Sequence, residues 1–264
     1  MLGKMKPKTG WIWYADGKHP AAKDFLTIGL REPLLRALVD WAAAGFQQMS
    51  AGRKPAFAGN SWRFWTGGNR RGHIICGVMR DSCDSFGRFF PLTVLGTGPL
   101  KGWEAHWDLL PLVLDKTWQQ IEYLATKRHL DFNQLENEIH TLPVPMNNWL
   151  ELDSAGRLPG QGAAALGMSP EVNRAKVPPV TPGGPDALLD IIPLNNFSQA
   201  DPPAQIARLQ AALRKRAPHA PNAVFMGGIP EKSCLVLFKR PLRPNDFAKL
   251  WSLCSEDFAA PTHA

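Results

Sequence analysis

The fold is decided by the apolar run His73-Ile74-Ile75-Cys76-Gly77-Val78-Met79, which has the length and composition of a buried β-strand. A polar loop over residues 80–88 follows it, and a second apolar strand is predicted over residues 89–95. Upstream, Trp62-Arg63-Phe64-Trp65 predicts another strand, and Gly67-Gly68-Asn69 predicts the turn that joins it to the first. Because the connections are short, we expect these three strands to be antiparallel neighbours in one sheet.

Helical periodicity surrounds this meander. Apolar residues recur at three- and four-residue spacing over residues 32–49, with Pro33 in the first turn, which predicts an amphipathic helix. The same spacing over residues 103–124 predicts one long helix, or two helices joined near Pro111. The remaining predicted elements are a strand at 10–14, helices at 132–140, 204–216 and 245–258, and strands at 223–227 and 234–238. The mixture indicates an α/β fold.

Composition divides the chain into three parts. Residues 1–141 carry most of the predicted elements and form the main α/β core. Residues 142–203 hold 11 of the 24 prolines, and because proline removes backbone donors we expect an irregular connection there. Residues 204–264 contain too few elements for a core of their own, so we expect them to complete the same fold.

Charge and hydropathy exclude several classes of protein. The net charge is +7, but no Lys/Arg block is longer than Arg214-Lys215-Arg216, which argues against a nucleic-acid binder. The basic start of the chain is not followed by the apolar region of a signal peptide, and no run of 18 apolar residues occurs. We therefore expect a cytoplasmic protein without membrane insertion. The four cysteines form no Cys-x-x-Cys pair and are expected to be reduced.

The loop over residues 80–88 concentrates chemically active side chains, and two interpretations of it stay open. In an enzyme, a hydrolase or transferase, Cys83 would be the nucleophile and His73 or His106 its base. In a binding protein the loop is a tight turn, closed by Asp and Ser side chains, with Gly87 supplying permissive backbone angles. Arg88 would then pair bidentately with Asp84 or Asp81. The second interpretation is favoured, because no local catalytic signature surrounds Cys83.

The sequence gives little support for a cofactor site or a metal site. The Gly67–Gly72 segment lacks the Lys-Ser/Thr ending and the following helix of a phosphate-binding loop, so it is interpreted as a hairpin turn. The seven histidines form no His-x-x-x-His pair. We therefore predict no metal and no cofactor. An anionic-ligand binder that uses Arg70, Arg71, Arg80 and Arg88 remains an alternative.

The loop and its flanks resemble the TagF (ImpM) family of type VI secretion accessory proteins. The resemblance rests on Asp84-Ser85-Phe86-Gly87-Arg88-Phe89-Phe90-Pro91-Leu92-Thr93 after an apolar strand, and on Trp62-Arg63-Phe64 before it. Lys23-Asp24-Phe25 lies where members carry Gly-Asp-Phe. The N-terminal Gly-Phe-x-Gly-Lys-Leu-Pro motif of the family is replaced here by a different segment, residues 10–18.

The resemblance implies a cytoplasmic α/β/α sandwich around a largely antiparallel sheet, without enzymatic activity. Some members of the family restrain assembly of the secretion apparatus after translation by engaging a forkhead-associated scaffold protein. We therefore expect a regulator or assembly factor that acts by protein–protein binding. The residues predicted to bind the partner or to form the motif are Arg80, Asp84, Gly87, Arg88, Phe90, Pro91, Asp24 and Phe25.

Overall fold

The computed structural model describes residues 10–30, 32–50, 58–127, 131–154, 189–194 and 201–253. Its centre is an eight-stranded sheet with the order β2-β1-β5-β4-β3-β7-β8-β6, in which every neighbouring pair is antiparallel. The strands are β1 (Ile12–Gly17), β2 (Leu26–Gly29), β3 (Ser61–Gly67), β4 (His73–Arg80), β5 (Leu92–Pro99), β6 (Leu189–Pro193), β7 (Ala223–Ile229) and β8 (Lys232–Phe238). The predicted meander is confirmed as β3-β4-β5.

Helices cover both faces of the sheet. The helices are α1 (Pro33–Ser50), α2 (Leu110–Thr126), α3 (Phe132–His140), α4 (Trp149–Ser154), α5 (Pro202–Arg216) and α6 (Asp246–Ser252). One apolar core lies between the sheet and α2, α3 and α5, and a second core lies between the opposite face and α1 and α6. The arrangement is the expected three-layer α/β/α sandwich around an antiparallel sheet. None of the described helices combines the length and the hydropathy needed to cross a membrane.

Strand β5 begins three residues later than predicted. The residues before it belong to the loop: the amide of Phe90 donates to the carbonyl of Ser82, and Cys83 forms an isolated bridge with Phe89. The strand then continues to Pro99 through two glycines. A Cβ on Gly96 would lie 2.3 Å from the Trp13 ring, and one on Gly98 would lie 2.4 Å from the Trp11 ring. Both glycines are therefore required by the indoles that pack on them.

Two regular elements lie in the segment predicted to be irregular. Strand β6 pairs with β8 at the edge of the sheet, where Pro193 can end a strand because its missing N–H breaks no internal ladder. Helix α4 is held by the Trp149 indole, which donates to the carbonyl of Lys101 at 2.8 Å. Residues 155–188 and 195–200, which include most of the predicted connection, lie outside the described residues.

The C-terminal elements join the first sheet. Strand β7 pairs with β3, and β8 joins β7 to β6, so strands from before and after the proline-rich segment form one continuous sheet. Helix α6 is described from Asp246 to Ser252, and residues 254–258 of the predicted helix lie outside the described residues. Within that C-terminal part, the buried Arg240 forms a two-bonded ion pair with Asp246, at 2.6 and 2.8 Å.

Candidate functional site

Asp84 is the centre of the loop between β4 and β5. Its side chain is buried, with 1% of the residue exposed, and it accepts four hydrogen bonds. The amides of Phe86 and Arg88 both donate to Oδ1 at 3.0 Å. Lys18 Nζ lies 3.0 Å from Oδ2, and Arg88 Nε donates to the same oxygen at 2.7 Å. Two backbone amides and two side-chain cations therefore hold the loop in place through their bonds to the buried Asp84 carboxylate.

The electrostatics of this centre keep the carboxylate ionised. Burial alone would raise the pKa of Asp84, because a charge loses water there. The backbone amides of Arg88 and Phe86 and the cations of Lys18 and Arg88 outweigh burial, and they hold the pKa well below its ordinary value. The loop therefore keeps its charge-assisted bonds at neutral pH.

A second segment, residues 18–25, is fastened to the loop. The amide of Ser85 donates to the carbonyl of Ala22 at 2.9 Å, and Arg88 Nη2 donates to the carbonyl of Lys23 at 2.7 Å. The Arg88 guanidinium also lies 3.5 Å from Asp24, in an exposed ion pair. Arg88 thus joins both segments, since its Nε contacts Asp84 while its Nη2 contacts residues 23 and 24.

Four side chains on these two segments are exposed together, and we call them the aromatic surface: Phe25, Phe86, Arg88 and Phe89. Phe25 is 54% exposed, Phe86 68% and Phe89 45%. The Arg88 guanidinium lies 5.6 Å from the centre of the Phe86 ring, within cation–π range. Exposed aromatic side chains on a preformed loop are typical of a protein interface, not of a core.

Three predicted motif residues, Phe90, Pro91 and Gly87, support this surface. The Phe90 ring packs edge-on against Phe25 at 4.7 Å and against Phe46 of α1 at 5.1 Å, so it connects the surface to the second core. Pro91 is buried where β5 begins. Gly87 has φ +76°, and its amide closes the turn by donating to the carbonyl of Asp84. A side chain there would strain the backbone although it would meet no neighbour.

The predicted pairing of Arg88 is confirmed for Asp84 but not for Asp81. It is also not bidentate, because only Nε contacts the carboxylate while Nη2 is engaged by the Lys23 carbonyl. The carboxylate of Asp81 is used elsewhere: it accepts from the Asn60 amide at 2.9 Å and from the Trp251 indole at 2.8 Å. Asp81 therefore joins the loop to α6.

The Cys–His pairs considered for catalysis are not brought together. His73 begins β4 and the loop follows its last residue, so seven steps of about 3.3 Å separate it from Arg80 by roughly 23 Å. His106 stacks on Trp149, whose indole donates to the Lys101 carbonyl near the His73 end of the sheet. His19 lies close to the loop, but the Leu124 carbonyl and the Ala21 amide occupy its two ring nitrogens.

The four arginines of the anionic-ligand alternative are also divided between two ends of the sheet. Arg70 and Arg71 lie in the turn before β4, whereas Arg80 ends β4 and Arg88 follows it. A single site that uses all four arginines is therefore not assembled. Within the described ranges, no group of three His, Cys, Asp or Glu side chains could hold a metal ion.

Two residues of the site were not predicted from the sequence. Lys18 supplies half of the cationic charge on Asp84, and the buried His19 joins the same segment to α2 through the Leu124 carbonyl at 3.1 Å. Their sequence context, Asp16-Gly17-Lys18-His19-Pro20, predicts only a turn. No local signal could have found their roles, because Asp84 and Leu124, which they contact, lie far away along the chain.

These features define the chain as an α/β/α protein whose β4–β5 loop is rigid and carries exposed aromatic side chains. Residues 13–142 match the family model of the TagF N-terminal domain, described as type VI secretion system-associated. The chain therefore belongs to the TagF family and is a type VI secretion system-associated protein. The match includes both segments of the site and the whole β3-β4-β5 meander.

The fold also occurs in a solved structure. The crystal structure of PA0076 from Pseudomonas aeruginosa PAO1 is similar to this chain with a TM-score of 0.51 and 19% sequence identity. The similarity covers 91% of this chain and 94% of the other. At this identity the likeness establishes the fold alone. None of the curated protein sequences is significantly similar to the chain.

Proposed function

We propose that this protein is a non-enzymatic, cytoplasmic accessory protein of a type VI secretion system that regulates the apparatus after translation by binding another protein. The proposed partner is a forkhead-associated scaffold protein, and the proposed effect is to restrain assembly. The observation that carries the proposal is the aromatic surface. Phe86, Arg88 and Phe89 lie on a loop that a buried carboxylate holds in place, and Phe25 lies on the segment joined to that loop.

The energetics of such a surface favour binding. Aromatic side chains and arginine dominate the binding energy of protein interfaces. A loop that is already rigid loses little conformational entropy when it binds, so more of the contact energy appears as affinity. The Asp84 carboxylate is too deeply buried to contact a partner, and its role in the proposal is to position Phe86, Arg88 and Phe89.

The proposal is tested by measuring the affinity of the purified chain for a forkhead-associated scaffold protein by titration calorimetry. Phe86→Ser is expected to weaken binding by roughly tenfold or more, since a central aromatic contact is worth about 2 kcal/mol. The control is Leu150→Ser, because Leu150 is 83% exposed on α4 at the other end of the sheet, and its removal should leave the affinity unchanged.

Equal affinities for the parent chain and Phe86→Ser would contradict the interface. A comparable loss in Leu150→Ser would also contradict it, since the binding surface would then not be specific to the loop. The unfolding midpoint of both variants is measured alongside, and we expect little change because both side chains are mostly exposed.

A further inference from the structure

Arg80 differs from the other partly or wholly buried arginines of the described residues. Those ranges hold four such arginines including Arg80, and the other three pair with carboxylates: Arg63–Glu122, Arg214–Asp108 and Arg240–Asp246. Arg80 has no carboxylate within ion-pair distance in the part of the chain that the structure describes. A half-buried cation without a counterion is costly, and native proteins seldom keep one without a use.

The hydrogen bonds of Arg80 leave most of its donors available. Its Nε donates a long bond of 3.4 Å to the Asp81 carbonyl, and within the described ranges Nη1 and Nη2 have no partner in the protein. The two acids that influence it are already engaged. Glu122 receives two 2.7 Å bonds from Arg63, and the Asp81 carboxylate accepts from Asn60 and Trp251.

The electrostatics agree with this geometry. Burial lowers the pKa of Arg80, and the charges of Glu122 and Asp81 compensate only in part. The neighbouring His19 cannot neutralise a cation. A guanidinium has four N–H groups on its two terminal nitrogens, in a planar fork that matches the two oxygens of a carboxylate. Arg80 is therefore arranged to receive an anionic group from outside the chain.

Arg80 also lies at the end of the sheet where a partner would bind. It is the last residue of β4, directly before the loop that carries Phe86, Arg88 and Phe89. We infer that Arg80 receives a carboxylate, from an Asp or Glu side chain of the protein partner that covers the aromatic surface. The identity of this anion as part of a protein rests on the proposed function. Covering the site would remove water and strengthen the pair.

The first experiment needs no partner. The Nε–H resonance of Arg80 in the full chain is followed by NMR while sodium acetate or inorganic phosphate replaces chloride at constant ionic strength. The resonance is assigned by its disappearance in Arg80→Gln. We expect it to show a saturable shift with acetate in the parent chain and in the control Arg71→Gln, which replaces an exposed arginine of the opposite turn. The carboxylate assignment would be overturned if the resonance did not move when acetate replaced chloride. It would also be overturned if only phosphate gave a saturable shift.

The second experiment measures the affinity for the forkhead-associated scaffold protein. Arg80→Gln is expected to weaken binding at least tenfold without lowering the unfolding midpoint, and Arg80→Lys is expected to lie between it and the parent. Unchanged affinity, or a marked fall in the midpoint of Arg80→Gln, would refute the role. If Phe86→Ser binds the scaffold protein as tightly as the parent chain does, while acetate still gives a saturable shift of the Arg80 resonance, the proposed function fails and the anion site stands.

Discussion

At the scale of the residue, His19 shows how one side chain is fixed in one protonation state. It is fully buried, its Nε2 contacts the Leu124 carbonyl at 3.1 Å, and its Nδ1 accepts from the Ala21 amide at 3.0 Å. A proton on Nδ1 would break the second bond. Burial lowers the pKa of His19 and the charge of Arg80 lowers it further, although the Leu124 carbonyl acts in the opposite direction.

The stability of the protein should therefore depend on His19 in mildly acidic solution. The unfolded chain takes up the proton near the ordinary pKa of 6.5, whereas the folded chain does so only at lower pH. The contribution of His19 is complete above 6.5 and is lost as the pH falls below it, because protons favour the unfolded state. We expect urea unfolding at pH 7.5 and 5.0 to show a smaller loss for His19→Gln than for the parent chain.

Every other ionisable group is common to the parent and the variant, so the comparison isolates His19. Gln can still donate to the Leu124 carbonyl, which makes it a conservative control at neutral pH. A loss of the same size in the parent and in the variant would show that His19 has no part in the acid response.

At the scale of the element, the buried pair Arg240–Asp246 fixes the start of α6 against the β8–α6 connection. Besides its two bonds from Arg240, Asp246 accepts from the Arg243 amide at 2.6 Å. Burial raises the pKa of Asp246, but the bonds from Arg240 and Arg243 outweigh it and lower the pKa. The helix then places Phe247 and Trp251 in the second core.

Removing the charge of Asp246 should destabilise the protein strongly. Asp246→Asn removes the carboxylate charge that the buried Arg240 guanidinium binds through two short hydrogen bonds, which costs about 3–5 kcal/mol in the free energy of unfolding. The matched control is Asp40→Asn, which removes the partner of Arg36 in an exposed pair of α1 and should cost less than about 1 kcal/mol. Urea unfolding measures both variants, and similar losses would contradict this account of α6.

The elements also show which parts of the fold can be predicted from the sequence. Helices α1 and α3 follow from local spacing, because each buries one stripe of apolar residues. The short strand β2 has too few residues for a periodic signal, and the start of β5 depends on the pairing of Phe89 and Phe90 with Cys83 and Ser82 in the loop. In the site, the Asp84–Arg88 pair is local and was predicted, whereas Lys18 and His19 meet their partners only after the sheet has formed.

At the scale of the whole molecule, the TagF N-terminal domain and the later elements form one sheet. The family match ends at residue 142, yet β3 pairs on one side with β4 and on the other with β7. The second core combines α1 with α6 and with residues of β7 and β8. The matched region alone would expose an unpaired strand and half of a core.

We therefore expect a fragment of residues 1–142 not to fold on its own. Circular dichroism and proton–nitrogen correlation spectra should show a poorly dispersed, aggregating chain, whereas the full chain should unfold in a single transition. A well-dispersed spectrum of the fragment, with a cooperative thermal transition, would show that the first part is an independent unit.

In the β4–β5 loop, the buried carboxylate of Asp84 sets the path of the backbone, whereas exposed side chains would make the contacts with a partner. The backbone path is set by bonds to Asp84 from two main-chain amides and from Lys18 and Arg88, and none of them depends on the side chains at positions 85, 86 and 89. Those positions can be randomised in a combinatorial library while the scaffold beneath them stays the same. New specificities could then be selected on this loop, much as hypervariable loops diversify on an unchanging framework.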